Sequence, residues 1–360
     1  MSRFIKFAAA LALAVSAFTA PANAADKIRV GEGPFITGGA FYIARDKGYF
    51  QKLGIEVDTK PFIDGAMAVP SMIAGELDMT FMTPNASLFN SVAKGAPLIA
   101  ILDRGHNRKG FAYTLVNVTQ AMADQGIKSM ADFAKLKGKK IGVGALGSIN
   151  QYNMAQALVK AGLNPAKDVQ WVVNVSQPDL MKMLGSGQVD ATDLAWQFGV
   201  FAQQNKWGPI VATGDEMVPD AAIGMFVVRK DFLEKNRDVV VRFAMAYLHA
   251  AKEFNASAKA PDQHMDVVEL LAKNTALNKP ELVKAIAPNW SYIAEDGAPL
   301  VDSIMQMQDF WSGQYFQYVE KKVSREQLFD LNVAKEAQAR LARTWPRRSA
   351  PRLRRWQPQL

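Results

Sequence analysis

The chain has 360 residues, no cysteine and a formal net charge of +8, so disulfides, zinc–thiolate sites and thiol nucleophiles are excluded. Its basicity sits at the ends: seven arginines lie from Arg340 to the C-terminus with no acid among them, Arg3 and Lys6 stand at the start, and the body between is close to neutral. A nucleic-acid surface is therefore not indicated on the folded body, and the length accommodates two domains of ordinary size.

Residues 1–24 read as a secretory signal. Arg3 and Lys6 give a positive start, Phe7 to Phe18 is a short apolar run, and Ala22-Asn23-Ala24 is a small-residue cleavage site. The run is too short to span a bilayer, which needs roughly 20 residues. Cleavage after Ala24 and a periplasmic location are the expectation.

Strand-like and helical patterns then alternate. A strand is predicted at 27–31, a glycine- and aromatic-rich loop at 33–39, a helix at 40–48 and a strand at 55–62. Asp64 is placed to cap the next helix, which closes at Gly75, and Pro70 inside it requires a late start or a kink. A strand at 79–82, a helix opened by Thr83-Pro84-Asn85 and a strand at 97–102 complete a first α/β unit. The pattern restarts with strands at 113–116, 140–143, 169–175 and 191–194, and helices at 129–135, 150–161 and 179–186. Gly75-Glu76-Leu77-Asp78 and Gly187-Gln188-Val189-Asp190 occupy equivalent helix-to-strand junctions in the two halves, as expected of two similar lobes. A strand at 223–228 precedes a helical region to about 340, with helical periodicity at 239–254 and 300–319. The order predicts an α/β fold of two lobes, each a mostly parallel sheet flanked by helices. Lobe one takes 25–114 plus 223–340, lobe two takes 115–222, and 341–360 is read as a basic disordered tail.

Several segments taken together resemble a known family. Ala44-Arg45-Asp46-Lys47-Gly48-Tyr49-Phe50 with Leu53-Gly54-Ile55-Glu56-Val57, then Ala74-Gly75-Glu76-Leu77-Asp78, then Leu136-Lys137-Gly138-Lys139-Lys140-Ile141-Gly142-Val143, then Val228-Arg229-Lys230-Asp231-Phe232-Leu233, are similar to the nitrate/sulfonate/taurine-binding family of periplasmic ABC-transporter solute-binding proteins. The resemblance covers roughly 27–329. It implies a type II periplasmic binding fold that acts as a monomer without cofactor, closes on a small-molecule ligand between its lobes and delivers it to a membrane permease and its ATPase. The ligand it implies is a small organic anion: a sulfonate, a taurine-like compound or an aromatic carboxylate. A thiamine-type pyrimidine is the alternative. A related group of enzymes makes that pyrimidine with a histidine and a cysteine-rich motif, and the absence of cysteine here argues against that chemistry.

Gly142-Val143-Gly144-Ala145-Leu146-Gly147 has the form G-x-G-x-x-G between a strand and a helix, but the next strand ends in Ser176-Gln177 rather than an acid, which argues against a dinucleotide. Strand-to-helix turns instead supply neutral donors for an anion. The candidate contacts from these turns are Thr37, Gly38, Asp64, Thr83, Asn85, Ser148, Asn150 and Gln177. Aromatics from the same loops, Phe35, Phe62 and above all Trp196, would wall an apolar ligand body, with Phe41 equally suited to the core. Asp193 would meet a ligand amine or cap a turn. Arg104 and Arg108 are candidates to clamp a carboxylate or sulfonate. His106, His249 and His264 show no metal spacing, no Gly-x-Ser-x-Gly elbow occurs, and neither catalytic residues nor a metal are expected.

Overall fold

The computed structural model describes residues 25–62 and 65–345. The expected signal at 1–24, Asp64 and the segment 346–360 lie outside the described residues. Sheet one contains β1 (Asp26–Glu32), β2 (Ile55–Pro61), β3 (Met79–Met82), β4 (Leu98–His106) and β10 (Ala222–Arg229), in the order β2-β1-β3-β10-β4. Sheet two contains β5 (Thr114–Val118), β6 (Lys140–Gly142), β7 (Gln170–Val172), β8 (Ala191–Ala195) and β9 (Ile210–Thr213), in the order β7-β6-β8-β5-β9.

The two sheets share one plan. In each, the first strand pairs in parallel with the second and third, as β1 does with β2 and β3 and β6 does with β7 and β8. A single reversed strand, β10 or β5, is then inserted beside the third. That reversed strand arrives from the opposite half of the chain, through connections at 107–113 and 218–221. Strands β3, β5 and β8 are buried along their whole length, as expected for sheets covered on both faces. On the edge strand β2, Glu56, Asp58 and Lys60 are exposed, which discourages further pairing.

The repeated Gly-x-x-Asp motif is a structural repeat. Gly75 and Gly187 end their helices with φ of 75° and 72°, a left-handed turn that favours glycine. Three residues on, the Asp78 carboxylate accepts from the Arg29 amide at 2.9 Å, and the Asp190 carboxylate accepts from the Lys140 amide at 2.8 Å. The same two aspartates donate their backbone N–H groups to the carbonyls of Arg29 and Lys140. Each aspartate thereby ties the third strand's start to the first strand.

The helices that bear on the site are α1 (Gly39–Asp46), α2 (Val69–Ile73), α3 (Ala86–Ala93), α4 (Ile149–Lys160), α5 (Gln177–Gly185), α6 (Trp196–Gln204), α7 (Arg237–Lys259), α8 (Val301–Trp311) and α9 (Asn332–Thr344). Pro70 is the second residue of α2, so that helix starts late, where a missing N–H costs nothing. The expected helix at 129–135 is a 3₁₀ segment, Met130–Leu136, and the strand expected at 169–175 is reduced to β7. The tail begins later than the sequence pattern indicates. Residues 341–344 complete α9, whose Val333, Ala334, Ala337 and Leu341 form one buried face, and the Trp345 ring stacks on His249 at 4.7 Å and 13°.

Lobe one's core is built around α7, with Phe41, Phe50, Phe226, Phe243 and Tyr247 fully buried. A second apolar cluster crosses between lobes. Ile149, Tyr152 and Ala155 of α4 in lobe two join Ala86 and Phe89 of α3, Trp311 of α8 and Phe316 in lobe one. The Tyr152 ring lies 5.3 Å from Phe310 and 6.0 Å from Trp311. The lobes thus meet along a dry seam.

Candidate functional site

Between the lobes lies a cavity of about 540 Å³, within the size range of small-molecule sites. Lobe one contributes Phe35, Thr37, Phe81, Thr83 and Arg104, and lobe two contributes Ser148, Asn150, Gln177 and Phe198. Tyr113, in the first connection, and Ile223, at the start of β10, lie between them. Most polar contacts come from turns that leave a strand and enter a helix, so the open ends of both sheets supply the wall.

Three hydroxyls in the wall are oriented by the protein. Thr37 Oγ1 accepts from Arg104 Nη1 at 2.9 Å, Thr83 Oγ1 accepts from Asn85 Nδ2 at 2.9 Å, and Ser148 Oγ accepts from the Gln151 amide at 3.3 Å. Each oxygen has a lone pair engaged, which leaves its proton free to donate. The two lobes face each other with neutral donors.

The amides of lobe two are also held. Asn150 donates Nδ2 to Asp193 Oδ1 at 2.8 Å and to the Asp193 carbonyl at 3.3 Å, both acceptors, which leaves Oδ1 as its free end. Gln177 accepts the Ala195 amide on Oε1 at 2.8 Å, which leaves Nε2 free. Asp193 is fully buried, and burial pushes its carboxyl well above the ordinary carboxylate range against the pull of Asn150 and Thr114. Burial also raises the Tyr113 hydroxyl to about 12, so it stays protonated at neutral pH.

Among the described residues Arg104 is the single charged one lining the cavity, and it is neutralised beneath the surface. It is 3% exposed and pairs through Nη2 with Glu32 Oε1, which is 2% exposed and also accepts from the Gly33 amide at 2.9 Å. Burial raises the Glu32 carboxyl, opposed by the Arg104 charge. The guanidinium carbon lies 4.6 Å from the centroid of the Phe81 ring, a cation–π contact.

The sequence matches the NMT1-like family over residues 22–272, which is more than half of its length. The chain belongs to the NMT1-like family. A protein of Brucella abortus named as a binding protein is 30% identical over 256 residues, covering 67% of this chain and 74% of the relative. The taurine-binding periplasmic protein of Escherichia coli is 25% identical over 235 residues, covering 65% of this chain and 67% of that protein. Among solved structures, the periplasmic aliphatic sulphonate binding protein SsuA of Escherichia coli superposes with a TM-score of 0.65 at 19% identity, over 84% of this chain and 91% of SsuA. The α/β two-lobed fold expected from the sequence is the fold of this NMT1-like protein.

Of the contacts proposed from sequence, the cavity of the NMT1-like chain brings together Phe35, Thr37, Thr83, Arg104, Ser148, Asn150 and Gln177. Others stand one layer back. Gly38 leaves room for Arg104, since a Cβ there would lie 2.9 Å from Nη2. Asn85 caps α3 and orients Thr83, and Asp193 orients Asn150. Phe62 packs against the second apolar cluster, and Phe41 is core. Trp196 does not wall the cavity: the chain turns into α6 at that residue and its ring packs against lobe one's core, leaving Gln197 and Phe198 to face inward. Arg108 also lies elsewhere, 4.4 Å from the Tyr292 ring beside a separate open depression. His106 lines that depression too and is held by Asp103 at 3.0 Å.

Phe81, Tyr113, Phe198 and Ile223 were not singled out in the sequence, because apolar residues in strands and connections carry no mark that separates a cavity wall from a core. The G-x-G-x-x-G turn has a packing explanation. A Cβ on Gly142 would lie 2.7 Å from Leu180, one on Gly147 would lie 2.8 Å from Ala86 of the other lobe, and Gly144 lines the cavity. Among the described residues no cluster of three metal-ligating side chains occurs, and no helix is long and apolar enough to cross a membrane.

Proposed function

We propose that this protein is the periplasmic solute-binding component of an ABC importer, and that it captures a small organic anion between its lobes for delivery to a membrane permease driven by an ATPase. The observation that carries this reading is the neutral, donor-rich cavity shared by both lobes. Thr37, Thr83 and Ser148 line it with hydroxyls that accept bonds from the protein and keep their protons free to donate, and the amides of Ile149 and Asn150 start α4 without an intrahelical partner. Water-excluded neutral donors hold an oxyanion without a free counter-ion. Phe35, Phe81, Tyr113 and Phe198 suit an apolar or aromatic body, more than a bare inorganic ion requires. The names of the relatives, as binding proteins and a periplasmic taurine binder, support capture and the location. Among the described residues no histidine, aspartate, glutamate or lysine lines the cavity, so none of them stands there as a general base.

The test is a thermal-shift screen followed by calorimetric titration with taurine, benzenesulfonate, benzoate and their substituted analogues. A bound organic acid raises the melting temperature by mass action, and Thr83→Val and Ser148→Ala each lower its affinity about tenfold, the loss of roughly 1.4 kcal/mol. If no organic acid stabilises the protein, or if both variants bind as the parent does, the reading is wrong.

A further inference from the structure

We infer that the captured ligand carries, besides its anionic head, a neutral N–H group of the carboxamide type, read by the Asn150 side-chain oxygen on the lobe-two wall. The inference rests on the capture reading above and comes from the direction in which two amide side chains are held.

Asn150 has both its neighbours fixed as acceptors. Its Nδ2 donates to the Asp193 carboxylate oxygen and to the Asp193 backbone carbonyl, and a backbone carbonyl accepts in every protonation state. The amide therefore cannot be reversed without setting two oxygens against each other, and its Oδ1 is the atom left for the cavity. The same wall carries one donor of fixed direction: Gln177 gives its oxygen to the Ala195 amide and keeps Nε2 free.

Strand β8 sets the spacing. Asn150 is held at Asp193 and Gln177 at Ala195, positions two apart on one strand and so roughly 7 Å along it. A carboxamide has the matching groups, an N–H donor for Asn150 and a carbonyl for Gln177. An ammonium is the poorer match, because among the described residues no carboxylate lines the cavity to balance its charge.

The experiment compares, by calorimetric titration of the full protein, meta- and para-substituted benzoates bearing no second group, a carboxamide, an N,N-dimethylcarboxamide or an acetyl group. The carboxamide is expected to bind at least tenfold more tightly than the dimethylamide and the acetyl compound, which keep the carbonyl and lack N–H. Asn150→Leu, which removes the acceptor, is expected to abolish most of the carboxamide's advantage over the dimethylamide. Benzoates that all bind alike overturn this inference and leave anion capture standing. Failure of every benzoate to bind, in a protein that binds other organic acids, overturns it as well; failure of all organic acids overturns both.

Discussion

The backbone amide of Ala86 in lobe one donates to the carbonyl of Gly147 in lobe two across 3.4 Å. The contact sits beside the apolar seam in which Tyr152 meets Phe310 and Trp311, so the lobes are closed on one another over the cavity. Gly147 has φ of 68°, and a Cβ there would lie 2.8 Å from that of Ala86. Gly147→Val is therefore expected to hold the lobes apart. Small-angle scattering should show a larger radius of gyration, and affinity for organic acids should fall tenfold or more, through the reduced population of the closed form.

Tyr152 is 4% exposed and makes its ring contacts across the seam rather than within lobe two. Tyr152→Ala is expected to cost about 3 kcal/mol of the contact between lobes, the usual scale for truncating a buried aromatic. Calorimetric unfolding, expected to be a single transition in the parent, should separate into two as the lobes lose their coupling. One unshifted transition would refute this account of the seam.

The Glu32–Arg104 pair gives a prediction with two arms. Arg104→Met leaves the Glu32 carboxylate buried without its counter-ion, and loss of one member of a buried pair costs about 3–5 kcal/mol. The double variant Glu32→Gln with Arg104→Met removes both charges and should recover most of that loss in chemical denaturation. If the single and double variants unfold at the same denaturant concentration, the pair is not the source of the cost.

Asp193 supplies a pH test whose sign can be stated. Burial raises its carboxyl when the protein is folded, whereas the unfolded chain ionises near the ordinary value of about 3.9. Any stability tied to the protonated form is present below that value and is lost as pH rises toward the folded-state value. Asp193→Asn has no charge to bury, so its melting temperature should match the parent near pH 3.5 and exceed it by a growing margin toward pH 7. A margin that shrinks with rising pH would contradict the assignment.

Much of this architecture is legible in the residues, for reasons that differ by element. The junctions at Asp78 and Asp190 are visible because a left-handed glycine and an aspartate three residues on are both needed to close the same turn. Thr83, Ser148 and Gln177 are visible because helix starts select short polar side chains whether or not a ligand is present. Trp196 misleads for a geometric reason: the sequence places it just past a strand end, and only the immediate start of α6 turns it toward the core. Arg104 reads as a free cation because its partner, Glu32, lies 72 positions earlier, and pairing at that separation leaves no local trace.

The insertion of β10 between β3 and β4 also has a consequence for how the molecule is assembled. In the finished sheet the strand beside β4 is β10, and the other segments that bond its backbone lie at Tyr292, Gly297 and Phe329–Asp330, all of them later in the chain than the whole of lobe two. A polypeptide made from its N-terminus therefore holds Leu98, Ile99, Ala100, Ile101 and Leu102 as an unpaired apolar strand while lobe two, contiguous from β5 to β9, can complete its own sheet. Lobe one must wait. During that interval the nascent chain carries an open strand edge of the kind that invites association with other chains.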